Sequence, residues 1–198
     1  MQGQDRWVSE NLFPGVTDGF FVDVGSYDGV LGSNSFALER KGWKGICVDP
    51  FPVNMEGRTC QMFKDVVFSE SGKVVSFTKA AYMGGISDTL GANKKDVERS
   101  PTVQLTTVTI GEILDRAKAP RFIHYMSLDI EGAELEALRG VPFDRYSFGA
   151  FTIEHNFEPE KRREMVAFLD GRGYRRINGY GSDDFFVPAT HPFFGPSD

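Results

Sequence analysis

The sequence predicts an α/β fold built on a mainly parallel sheet with helices on both faces. Two features carry that expectation. Short apolar runs alternate with helix-period stretches along most of the chain, and the last two apolar runs sit close enough to form a hairpin. Alternating strand and helix favours parallel strands, because a crossover between them needs a helix-length connection. A closing hairpin adds an antiparallel strand at one edge.

The elements follow in order. Residues 1–18 form an amino-terminal helical segment. Gly19 to Val24 (GFFVDV) is a compact strand. Ser33 to Lys41 has helix character, with Ser33 or Asn34 as the N-cap. Gly45 to Val48 is a second strand, stopped by Asp49-Pro50. Residues 58–68 form a third, and Lys73 to Phe77 alternates as its hairpin partner after a turn at 69–72. Residues 83–101, rich in Gly, Ser, Asp and Lys, show little periodicity and are the candidate for a long mobile loop. Ile110 to Ala117 is a helix, Phe122 to Asp129 a strand, and Glu131 to Arg139 a helix ended by Gly140. Phe148 to Glu154 is a strand. Pro159 to Asp170 is an amphipathic helix with Met165, Val166, Phe168 and Leu169 inward and Lys161, Arg162 and Arg163 outward. Tyr174 to Asn178 and Asp184 to Val187 form the hairpin.

At 198 residues the chain suits one domain, 1–198, with a sizeable core. A net charge of -6 disfavours a broad nucleic-acid surface, which needs clustered Lys and Arg. Cys47 and Cys60 are the only cysteines, and both lie in strand-like runs, so buried thiols are expected rather than a disulfide framework. The amino terminus is polar and no apolar stretch is long enough for a membrane span, so a cytoplasmic protein is expected.

Open α/β sheets bind ligands at the carboxyl ends of their strands. Those ends here are Asp23 to Gly29, Asp49, Lys64-Asp65, Asp129 to Glu131 and Glu154-His155. In the first loop, Gly25 and Gly29 let the backbone turn tightly and approach a ligand. The loop lacks the Gly-x-Gly-x-x-Gly spacing of a pyrophosphate cradle, since Tyr27 stands where the second glycine would be. It carries two carboxylates instead, Asp23 and Asp28. These repel a pyrophosphate but suit the ammonium and sulfonium of S-adenosylmethionine. Asp49 stands where dinucleotide folds place a ribose-binding acid. The competing reading is a plain strand-to-helix turn followed by an unrelated Asp-Pro turn.

These residues resemble the FkbM-type methyltransferases, which are class I S-adenosylmethionine-dependent enzymes. The similarity runs from Gln2-Gly3-Gln4-Asp5 through Gly19-Phe20-Phe21-Val22-Asp23-Val24-Gly25, Asp28-Gly29, Ser33-Asn34-Ser35 and the Gly42-Trp43 to Asp49-Pro50 stretch. It continues through Ser127-Leu128-Asp129-Ile130-Glu131-Gly132-Ala133-Glu134 and ends with Glu154-His155-Asn156 and Gly173-Tyr174. The family usually has Glu at the position of Asp49 and Ala-Asn at Ser26-Tyr27. The resemblance implies a Rossmann-like, seven-stranded, mainly parallel sheet and methylation of a hydroxyl on a sugar or small natural product. It implies that Asp23, Gly25 and Asp28 line the methionine side, that Asp49 meets the ribose and that Asp65 faces the adenine amine. Ser26, Tyr27, Gly29, Asn34 and Pro50 complete the expected cofactor set.

Asp129 ends the fourth strand, beside the first in the usual order, so it is expected to face the transferred methyl. Glu131 and His155 are the other candidate catalytic residues, since O-methylation must also remove a proton. Glu131 and Glu134 could instead complement a helix N-terminus, and His155 could be a fixed partner of Glu154 or Asp129. A divalent ion on Asp129, Glu131 and Glu154 is a further option that the spacing does not demand. His124 fits a satisfied core or interface residue, and His191 an exposed one. Lys94, Lys95 and Arg99 fit a solvated face, or a loop that closes over the substrate. The expected acceptor is a small molecule or carbohydrate, with neither nucleic acid nor a membrane span involved; a homodimer is left open. Two other functions compete: an NAD- or nucleotide-binding oxidoreductase, and a non-catalytic interaction module on the same fold.

Overall fold

The computed structural model describes residues 3–91 and 94–194. Its strands, in chain order, are β1 (Phe20–Val24), β2 (Lys44–Val48), β3 (Gln61–Phe63), β4 (Val66–Val67), β5 (Val74–Thr78), β6 (Gly85–Ile86), β7 (Thr102–Val108), β8 (Phe122–Ile123), β9 (Tyr125–Leu128), β10 (Ser147–Phe148), β11 (Phe151–Glu154), β12 (Tyr174–Tyr180) and β13 (Asp183–Pro188). The α-helices are α1 (Gln4–Trp7), α2 (Phe36–Arg40), α3 (Lys94–Val97), α4 (Ile110–Ala117), α5 (Glu134–Arg139) and α6 (Pro159–Asp170).

Seven strands form one mixed sheet in the order β12-β13-β11-β9-β1-β2-β3. The block from β3 to β11 is parallel. β13 runs antiparallel to both its neighbours. The antiparallel strand is therefore second from the edge, and β12, the other arm of the hairpin, is the edge itself. Strand alternation sends Val22 and Val24 to one face and Phe21 to the other. The first face packs Ile46, Met126 and Leu128 with Ile113 and Leu114 of α4, Leu138 of α5 and Leu169 of α6. The second packs Val8, Leu38 of α2 and Trp43 against Phe21, Cys47 and Tyr125. Helix α4 starts where Thr109 Oγ1 accepts the Glu112 N–H, a Thr-x-x-Glu N-terminus.

Several expectations need correction. The run 58–68 divides: β3 joins the large sheet, while β4 joins a second, four-stranded sheet ordered β4-β7-β5-β6. The antiparallel partners of β5 are accordingly β6 and β7, not the 58–68 run. The segment 83–101 contains β6 and α3 and buries Leu90 and Val97; within it, 92–93 lie outside the described residues. The runs at 122–129 and 148–154 each break in two, giving β8 and β10 as a separate parallel pair. Helix α2 begins at Phe36, and its N-cap is Ser35 rather than Ser33 or Asn34. Ser33 Oγ still accepts the Phe36 N–H at 3.1 Å. On α6 only Arg163 of the three basic residues is fully outward; Arg162 clasps Asp184 with two hydrogen bonds, and Lys161 donates to the Thr89 carbonyl.

Candidate active site

Register brings the functional loops level. Val24 of β1 pairs with Val48 of β2 and with Leu128 of β9, and Leu128 pairs with Ile153 of β11. One residue further on, Asp49, Gly25, Asp129 and Glu154 leave the sheet in a row, and Asp183 of β13 pairs with Glu154 to extend it. The Asp129 N–H donates to the Val24 carbonyl at 3.0 Å, which locks the start of that loop to β1. Gly25 makes this possible. Its φ is 88°, and a Cβ there would overlap the Asp129 carbonyl.

A cleft lies over this row and has two arms. One, about 470 Å³, is walled by Val66, Val67, Phe77, Ile86 and Ala133, with Asp49 and Asp65 on its side. The other, about 930 Å³, is lined by Asp23, Ser26, Asp28, Ser33 and Asn34. Asp129 borders both arms.

Asp23 is buried, and burial pushes its carboxyl up to about 6 despite the Ser35 hydroxyl and the nearby Arg58. Ser35 Oγ donates to Asp23 Oδ2 at 2.5 Å. Arg58 stands behind this pair: it donates to Glu39, to the Gly29 carbonyl and to Ser33 and Ser35 Oγ, and its side chain is 1% exposed. Asp49 accepts the Tyr27 N–H on one oxygen and the Phe51 N–H on the other. Burial raises its pKa while those two N–H groups oppose the rise. Each of its oxygens keeps a lone pair for a ligand hydroxyl. Asp28 is committed within its own loop. Burial pulls its pKa up, but the N–H groups of Val30 and Leu31 and the Asn54 amide outweigh that and hold it low. Asn34 reaches β9, donating to Ser127 Oγ at 3.0 Å. Ser26 Oγ is buried and has no hydrogen-bond partner among the described residues. Asp65 is held by Arg116 at 3.0 Å. Pro50 lines the apolar arm. Gly29 lines neither arm; a Cβ there would meet the Asn54 carbonyl and Met55, so its glycine serves loop packing.

The reactive end is strongly acidic. Oxygens of Asp129, Glu131 and Glu154 lie within 4.8 Å of one another. Burial pushes the Asp129 and Glu154 carboxyls far above the usual range; the charges of Asp183 and Glu131 add to this at Asp129, and the charge of Asp129 adds to it at Glu154. Two facing carboxylates cannot both ionise there, so the pair retains a proton at neutral pH. Glu131 is not at a helix start as expected. It adopts a left-handed φ of 57°, ahead of α5, and Asn156 Nδ2 donates to it at 3.4 Å. Glu134 opens α5 and accepts the Ile130 and Gly132 N–H groups of the preceding loop, bonds that fix that loop rather than cap the helix.

His155 is not brought to this cluster. Its Nδ1 accepts the Phe157 N–H, and its charged neighbours are Asp184, Arg162 and Arg176. Successive strand residues face opposite sides, which separates it from Glu154. His124 is a satisfied half-buried residue: its Nδ1 accepts the Phe20 N–H among the rings of Phe13, Trp43 and Phe122. His191 is half-buried rather than exposed. Sequence reasoning missed Tyr82, which borders both arms, and Arg58. No periodic signal marks a lone surface tyrosine, but an arginine flanked by short polar residues before a strand invites inspection as a buried clasp.

The strand order, the level row of loop residues and the two-armed cleft define a methyltransferase-like α/β protein. The methyltransferase FkbM domain matches residues 23–176, and the chain belongs to that family. No curated protein matches the chain. Among solved structures, the chain is similar to a Pyrococcus horikoshii protein designated an RNA methyltransferase, at 12% identity and a TM-score of 0.48, covering 96% of this chain and 83% of that one. Among the described residues, no helix is long and apolar enough to cross a membrane.

Proposed function

We propose that this methyltransferase uses S-adenosylmethionine and methylates a hydroxyl on a sugar or other small molecule. The observation that carries the cofactor is the division of one cleft into an apolar arm beside Asp49 and an acidic arm holding the orphan Ser26 hydroxyl, joined at Asp129. An adenosine needs an apolar slot and a carboxylate for its ribose; an amino acid end needs an anion for its ammonium and a donor for its carboxylate. Asp49 and Pro50 would hold the ribose side, with Asp65 beside the adenine. Asp23, Ser26 and Asn34 would hold the methionine end. The bound cofactor supplies an electrophilic methyl on a sulfonium.

Asp129 is the group we assign to the acceptor hydroxyl. It borders both arms, and its carboxyl can orient that hydroxyl and take its proton. Glu154 lies beside it and both carboxyls are raised far above the usual range, so the ionised form of Asp129 that takes the proton grows as pH rises. Glu131, held by Asn156, forms the third side of the cluster. Protonation accounts for the cluster without a cation, so turnover should not change on adding a chelator; its loss would assign Asp129, Glu131 and Glu154 to a divalent ion.

A thermal-shift comparison tests the cofactor. S-adenosylhomocysteine should raise the melting temperature and NAD should not. The reverse pattern would favour the oxidoreductase reading and remove this one. A non-catalytic module would bind S-adenosylhomocysteine yet show no methyl transfer for Asp129→Asn to abolish.

A further inference from the structure

The two arms of the cleft share four residues: Gly25, Tyr27, Tyr82 and Asp129. A ligand with a nucleoside in one arm and an amino acid in the other must place its connecting atom where the arms meet. For S-adenosylmethionine, and the inference rests on that reading, the connecting atom is the sulfonium.

Tyr82 stands at that junction with 73% of its surface exposed. Among the described residues, no other ring and no cationic side chain packs on it. It lies on a single 3-10 turn, Ala81–Met83, between β5 and β6. Ala81 opens that turn with a left-handed φ of 53°, a conformation that alanine rarely adopts. The turn is closed by Met83 and Gly84 N–H groups donating to the carbonyls of Ala80 and Ala81. The small sheet thus holds a large, uncovered ring over the place where the cleft changes from apolar to acidic.

We propose that Tyr82 presents its ring face to the sulfonium and binds the charged cofactor in preference to the neutral thioether left after transfer. A ring face attracts a cation through its quadrupole, and the thioether carries no such charge. The two ligands otherwise share the same adenosine, ammonium and carboxylate, so they differ only in the methyl and the charge at sulfur. The consequence for turnover is a weaker hold on product than on cofactor.

Calorimetry with S-adenosylmethionine and S-adenosylhomocysteine tests this on the wild type, Tyr82→Phe and Tyr82→Leu. Tyr82→Phe keeps the ring and should leave the ratio of the two affinities unchanged. Tyr82→Leu keeps an apolar cover but removes the ring face. It should weaken S-adenosylmethionine by about three- to thirty-fold and S-adenosylhomocysteine by less than about two-fold. The exposed position should leave the melting temperature of both variants at the wild-type value. Equal weakening of both ligands by Tyr82→Leu would make the ring a mere cover, and no weakening would place it away from the sulfonium; either overturns the proposal while leaving the cofactor assignment intact. A wild type that binds neither ligand overturns both.

Discussion

Ser26 and Asp23 show how the acidic arm is prepared at the level of single atoms. The Ser26 hydroxyl is buried without a partner. Leaving such a group unsatisfied costs about 1–3 kcal/mol. Ser26→Ala should therefore hold or raise the melting temperature while weakening S-adenosylhomocysteine about five-fold, the loss of one hydrogen bond. A drop in melting temperature by scanning fluorimetry would mean that the hydroxyl has a structural task instead. Asp23 has its pKa raised by burial to about 6. A ligand ammonium pairs with its ionised form, so S-adenosylmethionine should bind more tightly as pH rises from about 5 to 7. Calorimetry across that range should show the pH dependence in the wild type and lose it in Asp23→Asn.

At the level of elements, the loop after β1 depends on two devices. Gly25→Ala forces a Cβ into the Asp129 carbonyl at a positive φ. It should cost more than about 2 kcal/mol in denaturant unfolding and abolish ligand binding together with stability. The Arg58–Glu39 pair, 1% and 6% exposed, ties the stretch before β3 to α2 behind Asp23. Arg58→Met would strand a buried carboxylate and should cost about 3–5 kcal/mol; a change under about 1 kcal/mol would show that solvent screens the pair. The loop glycines and strand-end acids were legible because each stands at a sharp change from apolar to turn residues. Strand β7 was legible and overlooked: Val103 and Leu105 alternate with exposed Thr102, Gln104 and Thr106. The face taken by His155 was not, since a one-residue slip in strand register would have turned it the other way.

Across the whole molecule the buried carboxyls set the response to pH. Burial raises Asp23 and Asp183 to about 6 and Glu134 to about 7, and lifts the Asp129–Glu154 pair further. These groups hold protons more tightly folded than unfolded, so stability falls as pH rises from about 4 through 7 and beyond. The melting temperature without ligand should be higher near pH 5 than near pH 8, and Glu154→Gln should recover part of the alkaline loss. The sheet order and the cofactor end of the site were largely legible from strand ends and turn residues. The second sheet was not, because it divides one apolar run between two sheets and pairs strands far apart in sequence. The central claim is that one ligand spans both arms of the cleft. A crystal structure with S-adenosylhomocysteine tests it most directly. The adenine should lie against Val66, Val67 and Ile86 with the ribose on Asp49, the amino acid end beside Asp23 and Ser26, and the sulfur between Asp129 and Tyr82. An adenosyl group outside the apolar arm, or a sulfur away from Asp129, would contradict the account.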